Sequence, residues 1–254
     1  MNNLLDSITG FNPLSYSAFS IYGVIAVYVA ALILCIKKKQ EWMRILPCMI
    51  FSFLGLILGA KLFGAISYAP YYYKYVGSDF WDMVSKSGIV FYGGLIGYLL
   101  SLALLLPRLV KPDCRTAFDI TAVTIPLFHC IARVGCFFGG CCYGLPYDGA
   151  LCVRVISHGV ESTHFPIMLV ESGFNLLLFI ALLILLFKSK RLLGKLTYVY
   201  LLFYSVFRFI IEFFRGDEMR GVFGPFSFSQ YISLGILVFL VIKYARQRRN
   251  ASIT

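Results

Sequence analysis

The sequence predicts an all-α, polytopic membrane helix bundle of about seven transmembrane helices, with the N-terminus outside and the C-terminus cytoplasmic. Three observations predict it. First, 59% of the 254 residues are hydrophobic and only 14% are charged, whereas soluble domains average about 45–50% apolar and about 25% charged. A single water-soluble core cannot bury that much apolar surface in a chain of this size. Second, seven stretches approach the roughly 20 apolar residues that span a bilayer. Third, basic residues cluster after every second stretch.

The stretches are 18–36, 45–66, 88–106, 117–137, 168–187, 196–214 and 229–245. Backbone in lipid must satisfy its own hydrogen bonds, so each is expected to be helical. Lys37, Lys38, Lys39 and Arg44 follow the first. Arg108, Lys111 and Arg115 follow the third. Lys188, Lys190, Arg191 and Lys195 follow the fifth, and Lys243, Arg246, Arg248 and Arg249 close the seventh. Fifteen of the 23 basic residues therefore fall on one side, which the positive-inside rule makes cytoplasmic. The opposite connections hold Lys74, Lys86, Arg154, Arg215 and Arg220. The net charge of +11 is explained as a topology signal, not as a nucleic-acid footprint. No cleavable signal peptide is expected, because 1–13 lack a basic leader and the first apolar run ends in a basic cluster.

The whole chain, 1–254, is expected to be a single transmembrane domain with two outer elaborations. Residues 67–87 carry Tyr71, Tyr72, Tyr73 and Trp81 and suggest an interfacial arm. Residues 138–166 form a Gly/Cys-rich outer loop.

Topology gives each intramembrane polar residue a depth. Tyr22, Lys61, Tyr92, Arg133, Glu171, Arg208 and Glu212 all fall in the outer half, and Asp119 at the inner end. A charge in the bilayer costs at least about 2.5–3.5 kcal/mol, so such residues usually face a bundle interior and often carry function. Arg208 and Glu212 share a helical face at i and i+4, which permits simple neutralisation; Arg215 extends that face. Convergence of several helices on one depth favours an anionic headgroup, for which arginine offers a planar fork of donors. Gly93, Gly94 and Gly97 suit close helix packing or room for a lipid chain.

The run from Arg133 to Gly144 holds Cys136, Cys141 and Cys142 among four glycines, and Cys152 follows. Disulfide formation outside the cell, unpaired small hydrophobes, and a catalytic or metal role all remain open. His129, His158 and His164 are the histidines a thiol nucleophile would need. The adjacent pair Cys141-Cys142 is not Cys-x-x-Cys spacing, so no metal centre is assigned. No cofactor is expected.

These motifs, in this order, resemble the prolipoprotein diacylglyceryl transferase family across most of the chain. Ile21-Tyr22-Gly23 resembles a first-helix Tyr-Gly pair. The stretch from Tyr92 to Gly97 resembles His-Gly-Gly-Leu-Ile-Gly. Arg133, Gly135, Gly140 and Gly144 resemble the signature Gly-Arg-Leu-Gly-Asn-Phe-Ile-Asn-Gly-Glu. The block from Phe207 to Arg215 resembles Phe-Arg-Phe-x-x-Glu-Phe-Phe-Arg, followed by Ser229-Gln230. His164 through Glu171 resembles His-Pro-x-Gln-x-x-Glu without its Gln. Where the family has His, this chain has Tyr92; its Asn, Asn and acidic positions are Cys136, Gly139 and Cys141, and Ala132 precedes the arginine.

The resemblance implies a multi-pass enzyme of the bacterial plasma (inner) membrane. Its reaction moves a diacylglyceryl group from phosphatidylglycerol to the lipobox cysteine thiol of a preprolipoprotein, forming a thioether and releasing glycerol phosphate. It implies catalytic roles for Arg133, Arg208, Tyr92 and Glu212. It implies lipid contacts from Tyr22, Gly93, Gly94, Arg133, Cys136, Gly144, Glu171, Arg208 and Arg215. Arg133 and Arg208 would hold the phosphate, with Glu212 orienting Arg208. Tyr92, at an ordinary pKa of about 10, is a poorer base near neutrality than histidine. Two other functions stay open: a transferase of the same fold and lipid donor with a different acceptor, another peptide or a small molecule, and a non-enzymatic lipid-binding or interaction protein.

Overall fold

The computed structural model describes residues 14–110, 114–157, 160–216 and 222–251; Lys111, His158 and Arg220 lie outside them. Seven of its helices are long and apolar enough to cross a membrane, among the described residues. These are α1 (Tyr16–Lys37), α2 (Trp42–Tyr75), α4 (Phe91–Leu109), α5 (Arg115–Phe138), α6 (Ile167–Lys188), α7 (Leu196–Ile211, continued by a 3-10 turn to Phe214) and α8 (Phe228–Ala251). A short α3 (Phe80–Lys86) follows α2. Two antiparallel hairpins complete the list: β1 (Val153–Ser157) with β2 (Val160–His164), and β3 (Val222–Phe223) with β4 (Phe226–Ser227).

The helices form two compact units. One comprises α1, α5, the β1–β2 hairpin, α6 and residues 214–216. Its backbone outside the helices is satisfied by a small ladder. Gly144 N–H donates to the Phe165 carbonyl at 2.9 Å, Leu145 N–H to Phe214 at 3.0 Å, and Gly216 N–H to Tyr143 at 3.1 Å. The predicted loop 138–166 is thus partly sheet, which pairs backbone groups that glycine-rich coil would leave open. Asp119 is fully buried and accepts from the backbone N–H groups of Gly194 and Leu196. Its carboxylate sits at the N-terminus of α7, where free donors and the helix dipole favour negative charge.

The other unit holds α2, α3, α4, most of α7, the β3–β4 hairpin and α8. Here α2 and α4 meet backbone to backbone. A Cβ on Gly93 would strike the Gly59 carbonyl and the Phe63 side chain; one on Gly97 would strike the Gly55 carbonyl. The contact is reciprocal, since side chains at Gly55 and Gly59 would strike the Gly97 and Gly93 carbonyls. Two facing Gly-x-x-x-Gly pairs therefore replace side chains with van der Waals contact between backbones.

The 34-residue α2 overruns its predicted end at 66 and takes in the first part of the predicted arm. At a 1.5 Å rise it is about 51 Å long, against about 30 Å of hydrocarbon. Tyr68, Tyr71, Tyr72 and Tyr75 recur at helical spacing, and the Tyr68–Tyr71 and Tyr71–Tyr75 rings lie 5.6 and 5.2 Å apart. Tyr72 then donates to Asp82 at 2.5 Å, docking α3 on the end of α2. Lys61 donates to the Ser85 and Ser87 carbonyls at the C-terminus of α3, so its charge completes a helix end. Ser227 and Gln230 form a capping box at the start of α8. The Ser227 N–H donates to the Gln230 side chain at 2.9 Å, and Gln230 N–H to the Ser227 hydroxyl at 3.3 Å. Gln230 also donates to the Phe209 carbonyl of α7 at 3.2 Å.

Candidate functional site

Two buried polar groups stand out, one in each unit. In the first, α5 carries Arg133 and α6 carries Glu171. Arg133 Nε lies 2.6 Å from Glu171 Oε2. Arg215 approaches the other oxygen, Oε1, at 3.8 Å. All three residues are buried. Two guanidiniums thus bracket one carboxylate where water is scarce, the arrangement that makes a buried charge tolerable. The single Nε–H of Arg133 donates to His129 Nε2 at 3.1 Å, one turn back along α5, so its approach to Glu171 is an ion pair. His129 accepts there, so a neutral imidazole carries its proton on Nδ1.

Arg215 does not extend the α7 face as its spacing predicts. The α-helix ends at Ile211, a 3-10 turn runs over Glu212–Phe214, and Arg215 bridges to Gly144 as a strand partner. That change of backbone geometry turns Arg215 toward Glu171. Gly144, expected at the lipid, lies inside this ladder; a Cβ there would come within 2.8 Å of the Phe165 carbonyl oxygen. His164 Nδ1 donates to the Gly144 carbonyl at 2.9 Å, and its Nε2 is 2.9 Å from the Ser162 hydroxyl. Tyr22 differs from the arginines in burial: it is 40% exposed on α1, edge-on to Phe19.

At the end of α5 the three cysteines Cys136, Cys141 and Cys142 come together, their sulfurs all within 4.8 Å of one another. Helix capping explains it. Gly140 adopts φ +62°, and the N–H groups of Cys141 and Gly140 donate back to the Cys136 and Phe137 carbonyls at 3.1 and 3.3 Å. This is a Schellman motif, in which the residue after the left-handed position packs on the residue five before it. Those residues are Cys141 and Cys136. Cys142, itself left-handed at φ 60°, turns back onto the same spot; that conformation costs a non-glycine residue about 1–2 kcal/mol. The three pack beside Val153 and Met168 as free thiols. The neighbouring Cys136 and Cys141 thiols draw the Cys142 thiol below its ordinary range, aided by the charges of Arg133 and Arg215 against the effect of burial. Arg133 Nη1 lies 3.9 Å from Cys136 Sγ.

In the second unit, Arg208 Nη2 lies 2.5 Å from Glu212 Oε2, both buried. Tyr92 on α4 is also buried, its ring edge-on to Tyr204 at 5.5 Å. Its hydroxyl is 2.7 Å from Ser233 Oγ on α8. Ser233 donates to the Ser229 carbonyl at 2.9 Å, so Tyr92 is the donor to Ser233. Gly93, beside it, is occupied by helix packing against Gly59, whereas a Cβ added at Gly94 would come only to 3.4 Å from Leu56 and Ala60. The partners His129, Ser233 and Arg215 were not assigned to their mates by sequence reasoning. Only His129 had a signal, its i, i+4 spacing from Arg133.

A family model described as prolipoprotein diacylglyceryl transferase matches residues 5–246. A phosphatidylglycerol–prolipoprotein diacylglyceryl transferase of Clostridium tetani is 27% identical over 263 residues, covering 97% of this chain and 100% of the relative. One from Helicobacter hepaticus is 28% identical, over 93% of this chain and 88% of its own length. One from Bordetella avium is 32% identical, over 79% of this chain and 77% of its own. The chain therefore belongs to the prolipoprotein diacylglyceryl transferase family.

Proposed function

We propose that this chain transfers the diacylglyceryl group of phosphatidylglycerol to the lipobox cysteine thiol of a preprolipoprotein. The observation that carries the reading is the buried Arg133–Glu171–Arg215 group in a membrane chain of this family. The acceptor thiol gives up its proton to water, and the thiolate attacks the glycerol carbon of the diacylglyceryl group that carries the phosphate. A C–S bond forms, the bond from that carbon to the phosphate ester oxygen breaks, and glycerol phosphate leaves with the electron pair. Negative charge grows on phosphate oxygen along this path. Fixed guanidiniums in a dry site stabilise that charge without reorganising as it appears. Glu171 holds the two arginine forks in place. The basic connections support the topology with the N-terminus outside and the C-terminus cytoplasmic.

Arg208 and Glu212 form a separate buried pair, and each arginine is tested on its own. Tyr92 stands at the family's histidine position with its proton committed to Ser233. It therefore serves as a positioning group and not as the base that takes the thiol proton.

The test uses the purified full chain in phospholipid nanodiscs, phosphatidylglycerol labelled in its acyl chains, and a lipobox peptide. The expected result is a peptide carrying one diacylglyceryl group, with equimolar glycerol phosphate. Arg133→Ala and Arg208→Ala should each lower the rate by about 100-fold or more. Undiminished transfer in Arg133→Ala rejects the assigned site. A labelled product of another mass, with an unmodified lipobox peptide, rejects the assigned acceptor.

A further inference from the structure

We propose that Cys136, Cys141 and Cys142 form a binding site for one thiophilic metal ion of the zinc or copper(I) class. The first argument is geometric. A zinc–thiolate bond of about 2.3 Å sets sulfurs about 3.8 Å apart around a tetrahedral ion. The three sulfurs already lie within 4.8 Å of one another, so closing on an ion needs movements of about 1 Å or less. Spacing did not suggest this, because Cys141 and Cys142 are adjacent. The capping turn removes the objection: it folds Cys141 onto Cys136, and the left-handed Cys142 brings the third sulfur back.

The second argument is chemical. Three sulfur donors select soft or borderline ions over calcium or magnesium. Three thiolates around Zn²⁺ carry a net −1 charge, and around Cu⁺ a net −2. Such a complex needs a positive partner when it is half buried. Arg133 supplies one, with Nη1 3.9 Å from Cys136 Sγ. The sulfurs also lie against Val153 and Met168, which limit water access. Outside these three residues, no other group of three described His, Cys, Asp or Glu ligand atoms is gathered this closely.

Three protein ligands leave the fourth position of a tetrahedral ion open, as in zinc sites that act on a bound ligand. An added thiol entering there would be bound as thiolate. This last step rests on the proposed transfer to a thiol; the metal site itself does not.

The experiment titrates the reduced, metal-stripped full chain in nanodiscs with Co²⁺ as a spectroscopic stand-in for zinc, and in a second arm with Cu⁺ against a chromogenic chelator. One equivalent should bind, in the Co²⁺ arm with near-ultraviolet sulfur-to-cobalt charge transfer. Cys136→Ser, Cys141→Ser and Cys142→Ser should each weaken binding at least about 10-fold, whereas Cys152→Ser should not. Circular dichroism and monodispersity of each variant establish that it is folded. Co²⁺ binding with competition by Zn²⁺ assigns the zinc class; Cu⁺ binding alone assigns copper. No binding in either arm, binding indifferent to all three serine variants, or a disulfide between two of these cysteines in freshly isolated protein overturns the site. A lipobox peptide should strengthen the charge-transfer band, and its serine analogue should not. An unchanged band overturns the open position. Failure of metal binding leaves label transfer unaffected, so the two proposals fail separately.

Discussion

Arg133 and Glu171 meet at 2.6 Å across α5 and α6, and Arg215 reaches the second oxygen of the same carboxylate at 3.8 Å. One acid orients two arginines that are far apart in sequence. Removing it strands both charges in a buried place. Glu171→Ala is expected to destabilise the chain by about 3–5 kcal/mol, the cost of breaking a buried pair. Glu171→Gln, which keeps the shape, should retain more stability yet still lower transfer, because a neutral amide holds the guanidiniums less firmly. Thermal unfolding in detergent and the label-transfer rate measure the two effects separately.

Tyr92 donates its proton to Ser233, which in turn donates to the Ser229 carbonyl. Tyr92→Phe removes one neutral hydrogen bond, worth about 0.5–1.5 kcal/mol, and leaves the Ser233 bond to Ser229 intact. The transfer rate should fall by about 10-fold or less, with the pH profile unmoved. A profile that shifts with Tyr92→Phe would show that the phenol titrates in the reaction, against the positioning role.

The facing pairs Gly55/Gly59 and Gly93/Gly97 leave no space for a β-carbon. Gly97→Ala should destabilise the chain by about 1–3 kcal/mol through overpacking. Gly235 on α8 has open space where a β-carbon would sit. Gly235→Ala should be neutral or stabilising by up to about 1 kcal/mol, since alanine favours helix. Comparing unfolding temperatures of the two variants separates packing glycines from incidental ones.

Lys86 hydrogen-bonds Asp82, and Tyr72 adds a second bond; both hold the Asp82 carboxyl below its ordinary value. A depressed acid contributes docking strength above its undocked pKa, near 3.9, and loses it as pH falls through the docked value. The arm should therefore stay docked at neutral pH and loosen below about pH 4. Trp81 is exposed beside Asp82 and reports the change by fluorescence in a Trp42→Phe background. Asp82→Asn should abolish the acid transition.

Much of the fold was legible in the chain itself. Apolar runs long enough to cross lipid leave the backbone only the helix. Arg208 and Glu212 were legible as a pair because i and i+4 always share a helix face. The arm was harder: α2 runs through Pro70 with its tyrosine rings packed at helical spacing, and composition alone did not predict that length.

What tertiary structure alone decided lies between segments distant in sequence. Arg215 continues the α7 spacing, yet a 3-10 turn and a bridge to Gly144 carry it to Glu171. Tyr92 finds Ser233 across 141 positions. Cys136, Cys141 and Cys142 do not have metal-site spacing, and two left-handed residues gather them. The sequence by itself determined membrane residence, helix number and family, because these follow from hydropathy, charge and local motifs. The partner of each buried charge and the meeting of the three thiols required the fold. Neither a pair between elements nor a turn that reverses the chain has a fixed period that could be read along it.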